Sequence, residues 1–201
     1  MKRHAAPLRV TALLMVAFFS LASCFFYHGY PKQWAPKEKS AKKDCWQILG
    51  TYSDEGETAG KKPQTISLSQ IIFARGYQAA GVLQALKEAS EVKIAKVSDD
   101  TMEISVWNGG NELYAQNFSR GHKGFSCSSK GIKIPQSIPS GNGEGYSLNF
   151  PWGHLNLAVN KDLSLVVERV ENAAGVAFFI IPYIGGGSSW ARFKRLDTPG
   201  H

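Results

Sequence analysis

From Glu91 onward the chain alternates apolar and polar residues with period two. Val92 and Ile94 alternate with lysines, Asp99-Asp100 marks a turn, and Met102, Ile104 and Val106 alternate with Glu103 and Ser105. Successive strand side chains point to opposite faces, so this pattern predicts antiparallel strands with one buried face. Asn108-Gly109-Gly110-Asn111 is a hairpin signal, because tight hairpin turns need positive φ, and Leu113 to Phe118 forms the next strand. The pattern resumes at Leu155 to Val159, turns at Asn160-Lys161-Asp162, continues through Leu163 to Val170 and turns again near Glu171-Asn172. Val176 to Tyr183 is nearly all apolar, which predicts a strand buried on both faces or set in a barrel wall. Trp190 to Leu196 is the last candidate strand.

Before Glu91 the signals are mixed. Trp46 to Tyr52 is rich in strand formers and ends in a Ser-Asp-Glu-Gly turn signal. Residues 66–73 place apolar groups at Leu68, Ile71 and Ile72, the spacing of a two-turn amphipathic helix. Residues 78–90 extend this to a second helix, with Val82, Leu83, Leu86 and Ala89 on one face and Gly76 and Gly81 as interruptions. The fold class expected is mainly β. It is an antiparallel meander of seven to nine strands closing into a barrel or sandwich, with one or two short helices near residues 66–90.

The N-terminus follows a different logic. Lys2, Arg3 and Arg9 precede about 13 uncharged, mostly apolar residues, Val10 to Ala22. That run is shorter than the ~20 residues a membrane span needs, and it fits a secretory signal. It closes on Leu21-Ala22-Ser23-Cys24, which resembles the lipobox of bacterial prolipoproteins. The resemblance implies a diacylglycerol on the Cys24 thiol, cleavage before Cys24 and acylation of the new amine. It divides the chain into a signal peptide (1–23), a lipidated tether (24–43) and a single β-rich globular domain (44–201). The competing readings are an ordinary signal cleaved after Ala22 with a chance cysteine beyond it, and an uncleaved anchor. Phe25 rather than aspartate follows Cys24. The resemblance therefore implies the outer membrane, with the domain facing the periplasm or surface.

Charge and cysteine count change meaning once that signal is set apart. The formal net charge is +7, but three positive residues lie in 1–23, leaving +4 on 178 residues. That is a one-domain length with a moderate charge, suited to anionic head groups rather than to nucleic acid. Cys24 is taken by the anchor, so Cys45 and Cys127 become an even pair in an oxidising compartment, where a disulfide is the default. Two buried thiols acting as small hydrophobes are the alternative. Residues 25–43 combine Phe25, Phe26, Tyr27, Tyr30 and Trp34 with Lys37, Glu38, Lys39, Lys42 and Lys43. Such a stretch reads as an interfacial tether or a solvated linker, outside the fold either way.

Within the domain, Gly50-Thr51-Tyr52 resembles the Gly-x-Trp signature on the first strand of lipocalins, with tyrosine in place of tryptophan. That resemblance implies a barrel-closing pair in which Arg192 of the last strand packs across Tyr52 or Trp46. The layout as a whole also resembles small proteobacterial lipoproteins of unassigned activity.

Candidate chemistry is sparse. His122 lies in a polar, glycine-flanked loop, and His154 follows Pro151-Trp152-Gly153 at a strand start. Glu103, Glu112, Glu144, Asp162 and Glu168 fall at turn or alternation positions, where exposure explains them. No Gly-x-Ser-x-Gly elbow occurs, and neither histidine sits at metal-ligand spacing from a cysteine. Gly141 to Gly145 and Gly185 to Gly187 lack a following helix to cradle phosphate, and read as flexible turns. The expectation is a non-enzymatic, membrane-anchored envelope lipoprotein of binding or structural type, with no cofactor and an envelope-protein or cell-wall partner. The alternative is a lipocalin-like carrier of a small apolar ligand, which needs a roomy interior.

Overall fold

A computed structural model describes residues 23–27, 29–34, 36–37, 45–73, 80–121, 124–128, 131–136, 147–177 and 181–197. Its strands are β1 (Ser23–Tyr27), β2 (Gly50–Thr58), β3 (Thr65–Ser67), β4 (Glu91–Ser98), β5 (Thr101–Asn108), β6 (Asn111–Ser119), β7 (Ser126–Ser128), β8 (Gly131–Gln136), β9 (Ser147–Val159), β10 (Leu165–Ala177) and β11 (Ile181–Arg195). Two short helices, α1 (Leu68–Phe73) and α2 (Ala80–Glu88), follow β3. All the strands join one sheet, in the order β6-β5-β4-β2-β11-β10-β9-β8-β7. Strand β3 pairs with β2, and β1 runs parallel to β11; the remaining pairings are antiparallel. The fold is therefore the mainly-β antiparallel meander that the alternation predicts. Among the described residues the end strands β6 and β7 are not paired with each other, so hydrogen bonds do not close the sheet.

The sheet wraps around one core. Val92, Ile94, Met102, Ile104 and Val106 from one half meet Ile132, Leu155, Leu157, Leu165, Val167 and Phe193 from the other. Both helices cap this interior: Leu68, Ile71, Ile72 and Phe73 of α1 and Leu86 of α2 are buried in it. Val82 packs on the core as its helical phase requires, whereas Leu83 is exposed. Phe73 stands edge-on to Tyr114 at 5.2 Å between ring centres.

Tertiary pairing overrides local signals in several places. Trp46 to Ile48 forms a 3-10 turn instead of opening a strand, and β2 runs straight through the Ser-Asp-Glu-Gly turn signal. Asp54 stays in the strand because its carboxylate, 5% exposed, accepts the Ser69 amide of α1 at 2.6 Å. Gly56 lies where a Cβ would stand 2.3 Å from the Phe193 ring, so the buried phenylalanine needs glycine opposite it.

The largest departure is the length of the last three strands. β9 and β10 have 13 residues each and β11 has 15, so β10 passes straight through the turn expected at Glu171-Asn172. The apolar run 176–183 is not one strand: Ala177 pairs with Ile181, and residues 178–180 lie outside the described residues. Gly185 to Gly187 is no turn either, since it pairs with β10 on one side and β1 on the other. A Cβ on Gly186 would stand 2.3 Å from the Asn172 side chain, and glycine permits that approach.

Candidate functional site

Cys24, which the resemblance to prolipoproteins would make the first mature residue, lies in β1. Leu21 and Ala22 fall outside the described residues. β1 and β2 share one edge of β11: β2 covers Ala191 to Arg195, and β1 covers Ile184 to Ser188, with Cys24 paired to Gly185. This leaves no free leash between Cys24 and the sheet.

The described residues after β1, 29–34, 36 and 37, also belong to the fold, which for them corrects the expectation that residues 25–43 stand outside it. Trp34, 6% exposed, packs with Val166 and Trp190 on the face of β10–β11 opposite the main core. Tyr30 stands edge-on to Trp190 at 5.3 Å between ring centres, and its hydroxyl donates to Asn160 Oδ1 at 2.7 Å. Burial holds the Tyr30 phenol above its ordinary pKa. Lys37 Nζ lies 3.9 Å from the Trp190 ring centre, and the Lys161 amide donates to the Pro36 carbonyl at 3.1 Å. The mixture of aromatic and basic residues that reads as a tether is here a strap, because β10 and β11 carry apolar positions on both faces. Residues 38–44 lie outside the described residues.

Further along the same face, cross-strand rows can be read from the register. Phe150, Ala174 and Ile184 form one row; Trp152, Asn172 and Gly186 the next; His154, Val170 and Ser188 the third. Directly paired residues share a face, so these three rows lie on one face with no Asp, Glu, Lys or Arg; Val170 and Ser188 of the third row are buried, and the exposed part is in the first two. Phe150 is 62% exposed, Trp152 46% and Ile184 47%. Chain length and alternation did not reveal this surface, because the glycines and alanines of β10 and β11 blur the period-two signal there.

The barrel-closing pair needs correction. Arg192 does not pack across Tyr52: it pairs in register with Glu57, points to the outer face, contacts the Glu57 carboxylate and lies 5.4 Å from the Trp34 ring centre. Arg195 takes the inward place instead. A bulge between Phe193 and Arg195 sets Arg195 opposite Tyr52, with its guanidinium 5.8 Å from the ring centre. Its Nη2 donates to the Leu49 carbonyl at 2.8 Å, and its Nε donates to Asp197 at 2.8 Å. Gly50 admits this arrangement: its φ is +151°, and a Cβ there would meet Arg195 Nη2 at 2.7 Å. Tyr52 is fully buried and donates to the Ile48 carbonyl at 2.9 Å, and burial pushes its phenol up to about 12. Trp46 does contact a cation, but it is Lys96, at 5.3 Å.

Cys45 and Cys127 are joined by a disulfide, with Cα atoms 5.6 Å apart. It ties the 3-10 turn to the end strand β7 beside Phe125, whose ring stands 5.7 Å from that of Trp46. Constraining a separation of 82 residues stabilises the fold by about 4.5 kcal/mol on chain entropy alone.

The candidate acids and bases do not converge. Glu103 lies in β5 and Glu112 is exposed in β6, while Glu168 in β10 accepts from Asn156 at 2.9 Å. Asp162 turns the chain by accepting the Ser164 amide at 3.1 Å. His154 is half-buried in β9, and His122 and Glu144 lie outside the described residues. Among the described residues no three His, Cys, Asp or Glu gather as metal ligands, and no helix is long and apolar enough to cross a membrane. An open groove of about 900 Å³ runs along β2 and β11, but Arg192 and Arg195 in its wall already meet Glu57 and Asp197. No protein-family model, curated protein or solved structure matches this chain.

Proposed function

We propose that this chain is a membrane-anchored cell-envelope lipoprotein of non-enzymatic binding or structural type, held by acyl chains on Cys24. The observation that carries the reading is the Leu21-Ala22-Ser23-Cys24 lipobox after a basic and then apolar segment. Each buried methylene contributes ~0.8 kcal/mol; one acyl chain holds a protein reversibly, and two or more hold it stably. The position of Cys24 at the edge of β11 supports the reading, because an anchor there fixes the domain directly against the bilayer. The outer membrane is the proposed location, with the domain facing the periplasm or surface.

A filled interior supports a binding or structural role over the carrier alternative. Tyr52, Phe125, Phe193, Leu68, Met102 and Leu157 are fully buried side chains that occupy the space a ligand would need. In cells, Cys24→Ala is expected to abolish labelling by an acyl-chain analogue and to release the protein from the membrane fraction. A variant that still labels and still sediments with membranes overturns the anchor.

A further inference from the structure

We propose that the outer face at the far end of β9–β10–β11, centred on Phe150, Trp152 and Ile184, is a membrane-contact surface that lies on the lipid bilayer beside the acylated Cys24. The proposal rests on the lipoprotein reading above and adds an orientation to it.

Continuity with the anchor identifies the occupant. Cys24 pairs with Gly185, between Ile184 and Gly186, so the anchoring residue lies one strand spacing, ~4.8 Å, from β11 between the first two rows, at a register position of the alternate face. Phe25 and Tyr27 hold register positions opposite Gly186 and Ser188, extending the Trp152 and His154 rows by one strand. With the chain beginning at Cys24, acyl chains entering the bilayer bring this end of the sheet to the head groups and no other.

The chemistry fits a lipid boundary. Tryptophan and other aromatic rings settle at the membrane–water interface. Formal charge is missing from the three rows, and appears one row further on with Glu168, beside Trp190. The strap residues Trp34, Tyr30 and Lys37 cover the continuation of this face; Val170 and Ser188 of the third row are buried too, and Phe150, Trp152 and Ile184 of the first two rows stay exposed. Other exposed apolar side chains, such as Val97, Leu163 and Leu196, are scattered singly and call for no partner.

Size separates a bilayer from a protein as the occupant. At ~200 Å² for each large side chain, the exposures of 62%, 46% and 47% give roughly 300 Å² of open apolar surface. A stable protein partner buries ~800 Å² per side. Beside an acyl anchor a smaller contact suffices, because the anchor makes the second contact intramolecular.

The test uses the mature acylated protein, purified from membranes and reconstituted into phosphatidylethanolamine–phosphatidylglycerol vesicles containing brominated phosphatidylcholine. Acylation is read first by mass spectrometry. The emission lost in Trp152→Phe defines the Trp152 signal among the five tryptophans. That signal is expected to be quenched by lipid bromine and several-fold less accessible to aqueous iodide than in detergent-free Cys24→Ser protein. An acylated protein whose Trp152 signal ignores bromine and stays open to iodide overturns the contact surface and leaves the anchor standing. A Cys24 without acyl groups overturns the anchor and, with it, this orientation. A photo-crosslinking residue at position 150 provides a readout in cells: lipid adducts support the proposal, and a dominant protein adduct overturns it.

Discussion

Replacing Trp34 with alanine tests whether residues 29–37 are part of the fold or a leash. A large aromatic side chain removes ~150–250 Å² from water, and Trp34 keeps only 6% of its surface exposed. At ~25 cal/mol per Å² this corresponds to about 4–6 kcal/mol relative to an extended chain. Residual compactness of the unfolded ensemble trims the figure to about 3–5 kcal/mol. The Arg192 guanidinium over the ring, 5.4 Å from its centre, adds ~0.5–1 kcal/mol. A loss of about 3 kcal/mol raises the open population of the strap roughly 100-fold.

The assay is tryptic cleavage after Lys32, in the turn that the Trp34 amide closes by donating to the Pro31 carbonyl at 3.1 Å. When reclosing outpaces cleavage, the rate follows the open population. Trp34→Ala is therefore expected to accelerate that cut by about two decades. The global unfolding midpoint moves less, since a peripheral segment opens as its own unit. Equal cleavage rates in both proteins would sink the reasoning, because a free leash is open whether or not it carries tryptophan.

Further outcomes concern Tyr52 of β2 and the two arginines of β11. The Tyr52 phenol titrates near about 12 in the folded protein against about 10 when unfolded, so between those values only the unfolded chain loses the proton. Stability then falls by ~1.4 kcal/mol per pH unit from pH ~10 to ~12 and is fully present below pH ~10. Denaturant titrations across that range are expected to show the slope in wild type and lose it in Tyr52→Phe, which itself costs ~1 kcal/mol for the hydrogen bond to Ile48. Arg195→Ala, which uncovers the Leu49 carbonyl beneath a side chain only 13% exposed, is expected to cost about 2–3 kcal/mol. Arg192→Ala breaks ion pairs at 32% exposure and should cost ~1 kcal/mol or less; urea midpoints in the reverse order contradict the assignment of Arg195 to Tyr52.

What could be read in advance follows from how local each signal is. The strands β4, β5 and β6 were legible because Val92 to Phe118 alternates under direct hydrophobic selection and its hairpin signals are local. Helix α1 was legible for the same reason, with Leu68, Ile71 and Ile72 falling on one helical face. The arginine that meets Tyr52 is Arg195, three positions beyond the Arg192 that the lipocalin resemblance implies. The extra residues lie in β2, where Ser53 to Glu55 stand against Lys194 alone, and nothing in Trp190 to Leu196 marks that shift of register. The disulfide pair came from parity and compartment, not from any pattern around Cys45 or Cys127.

By itself the sequence determined a basic and then apolar N-terminal segment ending in Leu21-Ala22-Ser23-Cys24, two further cysteines and a mainly-β domain. Each of these depends on residue type within a short window. Only the tertiary structure decided that residues 29–37 are a strap, that Gly185 to Gly187 lies inside a strand, and that Phe150, Trp152 and Ile184 share a face beside Cys24. Those outcomes depend on pairing between residues as far apart as Cys24 and Gly185. A glycine or alanine in such a strand takes its conformation from its neighbours in the sheet, because its own side chain expresses almost no preference.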